Sequence, residues 1–415
     1  MSSLRRIVEG RTTLLVPTAS LTRSEPPTTP FFFNPAASIN RDISVAMTEA
    51  VSGGGTFCDS LAGVGARGVR VANELSRRMN VTMVDFNPSA LRVAERSARA
   101  NSLRCDFVKS EANTYLFSRF GRDSKFDFVD IDPFGTPVPY IQGAFGAAAD
   151  GGVVSLTSTD TAVLCGVYPE VCRRRYSSLP LKNEFKHETA LRILLNACRR
   201  IAGMNDIGIE PIAAHSTRHY LRVYARVRVG AAQADRSRAQ EGFISSCEKC
   251  GERGSSSLPI VRCDGCGAGT LSAGPLWIGP LTDPRVVGAA LNVSRRSNLG
   301  GGAKALDALL GLEYFPPFSY SVERISSALK VPGVSQSEVM RRLASNGCRV
   351  MKQPFEKTGL KTEATYGAVA EAVSAVSRDA GLEKAPSTRD RRRTIPNSPS
   401  GSLAASSFLL PRTSR

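Results

Sequence analysis

The stretch "GTFCDSLAGVGARGVR", residues 55–70, decides the fold. Its first half mixes β-branched, aromatic and small apolar residues, as a buried strand does. Its second half carries Gly63, Gly65 and Gly68 in the spacing G-x-G-x-x-G. Glycines so placed let a strand turn sharply into a helix while a ligand approaches the backbone. The helix is expected to continue through "VRVANELSRR". By itself the spacing admits NAD or FAD.

Outward from this unit the chain keeps alternating. "VTMVDF" predicts a second strand, and "NPSALRVAERSARAN" a helix with Asn87 as N-cap and Pro88 in its first turn. "RCDFVKSEA", "FDFVDID" and "GGVVSLTST" read as further strands. "HETALRILLNACRRIA" has the helical period, and "LRVYARVRVG" alternates as a late antiparallel strand. Residues 1–30 read as a hairpin or loop. Strand–helix alternation predicts an α/β, doubly wound Rossmann-like sheet. Residues 231–245 read as a polar connector. Beyond 280, "SVERISSALK" and "SQSEVMRRLASNG" predict two helices, the second opened by a Ser335…Glu338 capping box and closed by Gly347. With the strand "CRVMKQP" they suggest a winged-helix-like unit. The expected organisation is a nucleotide-type domain with an N-terminal extension over 1–230, a C-terminal α+β domain over 231–383, and a disordered basic tail over 384–415.

Four acids and one aromatic ring carry the chemical reading. Asp59 closes the first strand. Asp85 lies about 20 residues past the glycines, where a carboxylate binds ribose hydroxyls. NAD and S-adenosylmethionine share that ribose; the plain alternative is a helix-entry acid. "DIDPFGTP", 130–137, separates the two cofactors, since hydride transfer has no use for an acid-Pro-Phe-Gly turn. The amine of a nucleobase is a poor nucleophile because its lone pair is delocalised into the ring. A carboxylate at Asp132 accepting its N–H stabilises the charge that develops during methyl transfer. Pro133 leaves a rigid carbonyl for a second N–H, and Phe134 offers a face for an extruded base. Asp130, two residues back on the same strand face, reads as a supporting residue.

"FFFNPAASINRDISVAM", "DSLAGVGARGVR", "DFNPSA" and "DIDPFGTP", in this order, resemble the tRNA guanosine-26 N2,N2-dimethyltransferase family. The similarity runs over roughly residues 5–370, through "HETALRILL", "HYLRVYARV" and "EKTGLKTEA", with "NRDIS" its most diagnostic segment. The resemblance implies a cytoplasmic tRNA methyltransferase that places one or two methyl groups from S-adenosylmethionine on the N2 of guanosine 26. It implies that Arg41 meets the cofactor carboxylate, assisted by Arg67 or Arg70. It implies that Asp85 holds the ribose, that Glu111 and Ala112 line the adenine site, and that Asp132 is the catalytic acceptor beside Phe134. Another amino-methyltransferase, or a zinc-containing RNA-binding protein without turnover, would share parts of the pattern.

Cys247-x2-Cys250 and Cys263-x2-Cys266 form paired knuckles whose spacing matches a structural zinc site. The other six cysteines are scattered and read as free thiols in a reducing compartment. No apolar run is long enough to span a membrane, the N-terminus lacks a signal-peptide core, and no obligatory protein partner is evident. The net charge of +17 favours a polyanionic partner. Part of it belongs to the tail, around 389–393, which reads as a solvated segment. The stretches 218–228 (Arg218, Arg222, Arg226, Arg228) and 341–352 (Arg341, Arg342, Arg349, Lys352) are the expected phosphate grips. His187 is expected to be a structural or RNA-facing residue rather than a base, and His215 and His219 to be structural.

Overall fold

The computed structural model describes residues 3–23 and 26–381. Strands β1 (Leu4–Glu9) and β2 (Thr12–Pro17) form an antiparallel hairpin. It is tied to the helix Pro88–Ala100 by Asn101, whose side chain bonds both the N–H and the carbonyl of Thr13, at 2.9 and 2.7 Å.

The central sheet contains β3 (Gly55–Asp59), β4 (Met79–Asp85), β5 (Asp106–Lys109), β6 (Phe126–Ile131), β7 (Ala148–Ser158), β8 (Ile207–Thr217) and β9 (Tyr220–Val229). Their order is β5-β4-β3-β6-β7-β9-β8. β9 is antiparallel to both of its neighbours, while β3 to β7 pair in parallel. The doubly wound α/β expectation is therefore met, with the alternating strand as its antiparallel member. The chain leaves β3 in one direction and returns for β6 on the other side. A ligand cleft opens at the carboxyl ends of strands where the order reverses in this way. Phe57 and Phe128 stack at 5.1 Å inside the sheet and are fully buried.

The glycine turn explains itself locally. Gly63 and Gly65 have φ of +54° and +73°, which L side chains rarely adopt. A Cβ on Gly65 would lie 2.5 Å from that of Ala94, so the helix Ala66–Glu74 packs too closely for a larger residue. Asn87 caps its helix, accepting from Ser89 N at 2.9 Å, a contact worth about 1 kcal/mol.

β8 had no counterpart in the sequence reading. Pro211 interrupts its pattern, and the pairing with β9 shifts register between Pro211 and Ala213. The polar connector over 231–245 is also corrected. Residues Ala231–Arg238 are a helix and Glu241–Ser246 a strand, β10. β10 is the central strand between β11 (Arg253–Ser256) and β12 (Leu271–Trp277), so neighbouring strands supply the burial that its sequence does not advertise.

The last sheet joins β13 (Tyr320–Ser321), β15 (Gly359–Thr362) and β14 (Val350–Lys352). The helices Val322–Leu329 and Gln336–Ser345 precede its β14–β15 hairpin, in the winged-helix arrangement. Gly347 closes the second helix at φ +82°. Its capping box is not formed: Ser335 makes no side-chain cap bond.

A short stretch, 184–188, ties this C-terminal unit to the first domain. Glu184 receives Arg253 and Arg324, and His187 Nδ1 lies 2.5 Å from Glu356 Oε1. Glu188 takes Lys361 Nζ on both oxygens at 2.7 Å, with Gln353 and Arg192 at 2.9 and 2.8 Å. Glu188 and Lys361 are fully buried. Burial works against the charged Glu188, but Lys361 and Arg192 overcome it and bring its carboxyl down to about 2. The basic tail expected over 384–415 lies outside the described residues.

Candidate active site

Two groups of the expected site residues face each other across the carboxyl ends of the strands: one, the nucleotide wall, expected to meet the nucleotide and one, the catalytic wall, expected to carry the chemistry. On the nucleotide wall, Asp85 ends β4 and accepts the Gly63 N–H on Oδ2 and the Asn87 N–H on Oδ1, both at 2.8 Å. It therefore fastens the glycine turn and starts the next helix, while each oxygen keeps a second lone pair for a hydroxyl. Glu111 caps the short helix Ala112–Phe117 by accepting from Thr114 N at 2.8 Å. Desolvation opposes its charge, but N–H bonds from Asn113 and Thr114 prevail and hold its carboxyl below the usual range. Ala112 is buried beside it.

The catalytic wall is a row across the sheet. Asp59 of β3 is the register partner of Asp130 of β6, and Asp130 in turn of Ser155 of β7. Asp59 accepts the Gly68 N–H at 3.1 Å. Burial, then the neighbouring Asp130, pushes its carboxyl up to about 7. Asp130 is wholly enclosed. Its Oδ1 takes Arg222 Nη2 and Ser155 Oγ, and Arg67 Nε lies 2.9 Å from its Oδ2 as an ion pair without hydrogen-bond alignment.

Arg67 then bridges outward. Its Nη2 meets Asp132 Oδ2, and its Nη1 meets Ser44 Oγ and, at 3.3 Å, Asn40 Oδ1. Asn40 and Ser44 belong to the "NRDIS" segment on the helix Ser38–Val51. Asp132 thus has one oxygen fixed and its side chain 34% exposed. Desolvation raises its pKa, but Arg67 and Arg222 outweigh burial and keep the carboxyl below its ordinary value. The group stands ionised, oriented and open on one side.

Two further arginines of the site lie deeper. Arg70 is fully buried, with Nη1 2.7 Å from Asp42 and Nε 2.8 Å from Glu74. These carboxylates, with Glu9 beside them, leave it no free face, so in this arrangement Arg70 holds the hairpin and two helices together. Arg41 pairs bidentately with Glu9, at 2.7 and 2.5 Å, and lies over the Phe33 ring.

Phe134 projects from the turn and is 67% exposed. Its ring meets Phe32 edge to face, centroids 4.9 Å apart. Pro133 is buried behind it, and no described residue donates to its carbonyl. Gly135 is pinned to Thr159 by N–H and carbonyl contacts of 2.8 and 3.0 Å.

The model of the family described as N2,N2-dimethylguanosine tRNA methyltransferase matches residues 10–374. The chain belongs to that family. The tRNA (guanine(26)-N(2))-dimethyltransferase of Methanothermobacter thermautotrophicus is 34% identical over 376 residues, 88% of this chain and 97% of that one. The enzyme of the same name from Halobacterium salinarum is 34% identical, covering 89% and 99%. Among solved structures, the complex of Pyrococcus horikoshii Trm1 with S-adenosyl-L-methionine superposes with a TM-score of 0.77 at 28% identity. That match covers 89% of this chain and 99% of that one.

Four of the cysteines form a cluster of their own. The four sulfurs of Cys247, Cys250, Cys263 and Cys266 lie within 4.8 Å of one another, with Cys247–Cys266 at 3.6 Å and Cys250–Cys263 at 3.4 Å. Thiolates about 2.3 Å from a tetrahedral zinc sit about 3.8 Å apart, so the cage fits that ion. The two knuckles repeat one design. Cys247 N bonds Glu252 O and Cys263 N bonds Ala268 O, both at 2.8 Å, with Gly251 and Gly267 at positive φ.

The structure brings Asp59, Arg67, Asp130 and Asp132 together and sets Gly63, Gly65, Asp85, Glu111 and Ala112 along the other wall. It corrects the phosphate-gripping role given to Arg222, which is fully buried against Asp130, Ser155, Thr157 and Tyr224. His187 is structural, one of its two expected roles. His215 is buried, bonds Thr217 at 3.0 Å, and is held neutral, pushed down to about 3 by burial and then by Arg222 and Arg67. The residues missed were Phe32, Asn40, Ser44, Ser155 and Thr157. "FFFNPAASINRDISVAM" was the signal pointing to part of this set, Phe32, Asn40 and Ser44.

Proposed function

We propose that this chain methylates the exocyclic N2 of guanosine 26 in tRNA, with S-adenosylmethionine as donor. What supports it most is one arrangement: an ionised, partly exposed Asp132 fixed by Arg67, followed two residues on by the exposed Phe134 ring in edge contact with Phe32. S-Adenosylmethionine, when bound, supplies an electrophilic methyl on sulfur. The residues of the nucleotide wall fit its ribose and adenine, with Asp85 for the hydroxyls and Glu111 and Ala112 at the ring.

An extruded guanine stacks on the exposed Phe134 ring, which Phe32 supports edge to face, and stacking on an aromatic side chain contributes about 1–3 kcal/mol. The free oxygen of Asp132 accepts one N2–H, and the Pro133 carbonyl accepts the other. This aims the nitrogen lone pair and disperses the positive charge that grows as the new N–C bond forms. The proton leaves to Asp132 and then to solvent. Arg67 keeps the carboxylate from turning away. Turning the product amine about its C2–N2 bond presents its remaining N–H to the same oxygen for a second transfer.

Zinc, held by Cys247, Cys250, Cys263 and Cys266, orders the knuckles and takes no part in the chemistry. No described helix is long and apolar enough to cross a membrane. We place the enzyme in the cytoplasm, where thiols stay reduced.

The test uses labelled cofactor and two tRNA transcripts that differ only at position 26. Label should enter the guanosine transcript alone, and mass spectrometry of its nucleosides counts the methyls. Equal labelling of both transcripts contradicts the position.

A further inference from the structure

Most of the basic side chains that the sequence offered for phosphate are already occupied. Arg222 is buried, Arg226 bonds Gly151 O at 2.9 Å, and Arg228 pairs with Glu210 at 2.8 Å. Arg341, Arg342 and Arg349 pair with Glu338, Asp379 and Glu363. Of that set, Arg218, in the turn between β8 and β9, and Lys352 alone have no ion pair or side-chain hydrogen bond among the described residues, so further grips for an RNA backbone near the catalytic turn have to be sought elsewhere.

The helix Pro169–Tyr176, "PEVCRRRY", lies against that turn. Its inward residues, Cys172 and Tyr176, are four apart and buried. Tyr176 OH bonds Thr136 Oγ1, in the catalytic turn itself, at 2.8 Å, and lies 3.3 Å from Asp160. Arg175 pairs with the same Asp160 at 2.8 Å. The helix is therefore fixed relative to Phe134 and Asp132 by side chains on its own inner face.

Arg173 and Arg174 lie outside this buried face. Both are exposed, and among the described residues neither has an ion pair or a side-chain hydrogen bond. Cations at a helix C-terminus complement its dipole, but Arg175 is already there, and a third adjacent positive charge adds repulsion. Just before the helix, Val167 and Tyr168 are 47% and 55% exposed, an unusual placement for an apolar side chain and a ring. Free cations next to a bare aromatic ring, beside a pocket for an extruded nucleoside, have the composition of a single-stranded nucleic-acid contact.

We infer that Arg173 and Arg174 bind backbone phosphates flanking the modified guanosine, with Tyr168 stacking on a neighbouring unpaired nucleotide. The helix would hold the RNA strand at the mouth of the pocket while the base is drawn in. This inference rests on the tRNA reading above.

The test is the full-length double variant R173A/R174A, with R173K/R174K as charge-preserving partner. R104A, an exposed arginine before β5 at the amino ends of the strands, serves as control. Dissociation constants for a guanosine-26 transcript are measured across a salt series. Each lost phosphate contact lowers the log–log salt slope by about one, so R173A/R174A should be shallower by about two. Its tRNA affinity at low salt should fall roughly tenfold or more, since phosphate contacts dominate such affinity. The lysine pair should keep most of the slope, and R104A all of it. Cofactor affinity and melting temperature should match wild type in every variant. An unchanged slope and affinity in R173A/R174A overturns the inference while leaving the enzyme reading intact. A wild-type protein that neither binds nor methylates the transcript overturns both.

Discussion

Two buried ionic clusters in this molecule use the same residue types for opposite ends. Behind the catalytic turn, Arg67 and Arg222 face Asp130 and Asp132. At the seat of the C-terminal unit, Arg192 and Lys361 face Glu188. The second cluster is closed: Glu188 and Lys361 have no exposed surface, and Gln353 fills a remaining site. The first leaks at one point, since Asp132 keeps one side open. A sealed cluster can only hold parts together, whereas an open one presents an oriented charge to whatever enters. The two clusters differ in the exposure of a single carboxylate rather than in the number of charges.

The comparison can be broken in four ways. Zinc removal should have the largest effect, because structural zinc in small domains contributes on the order of 10 kcal/mol of folding free energy. Chelation under reducing conditions should unfold the knuckles and unseat the C-terminal unit, lowering tRNA affinity. Cofactor affinity, measured by calorimetry on the same sample, should survive. If cofactor binding is lost in parallel, the two regions are not separate.

Glu188→Gln comes next. It leaves Lys361 and Arg192 buried without their carboxylate, a change that costs about 3–5 kcal/mol in denaturant unfolding. Wild-type stability should also have an acid limb from this residue. Its folded pKa, about 2, lies below the unfolded value near 4.5. The contribution is therefore complete above about pH 4.5 and disappears as pH falls through 2. That part of the limb should be missing in Glu188→Gln; an unaltered acid profile would contradict the sealed-cluster account.

Phe32→Ala removes one side of the aromatic pair and should weaken productive guanosine binding by about 1–3 kcal/mol. The effect should appear in KM for tRNA more than in the melting temperature, because the ring is only partly buried. The smallest effect belongs to His187. Hydrogen bonding with Cys165, then Glu356, raises it to about 9 from an ordinary 6.5. Its contribution is whole below pH 6.5 and is lost as pH rises through 9. Glu356→Gln should flatten the decline in melting temperature over that window.

Much of the nucleotide wall could be read along the chain because it is local. Glycines 63 and 65, Asp59 and Asp85 sit within one strand–turn–helix–strand unit, where each residue type has one geometric reason to be present. The catalytic turn was legible for the same reason. What could not be read lies in contacts between distant segments. Arg222 alternates with apolar neighbours, and alternation gives a face without saying that both faces of β9 are covered. Phe32 meets Phe134 across about a hundred residues, and Glu188 meets Lys361 across 173. Strand β10 took its burial from β11 and β12 rather than from its own composition.

Single-turnover methyl transfer by Asp132→Asn tests the central claim most directly. The change keeps the shape of the side chain and removes the charge that faces the nitrogen. With tRNA and cofactor saturating, the rate should fall by about 10²–10³, the loss that follows removal of one preorganised electrostatic contact. Cofactor affinity should remain close to wild type, and the melting temperature should fall only modestly, because Arg67 keeps its ion pair with Asp130. Transfer at the wild-type rate by a folded, cofactor-binding Asp132→Asn protein would contradict the account.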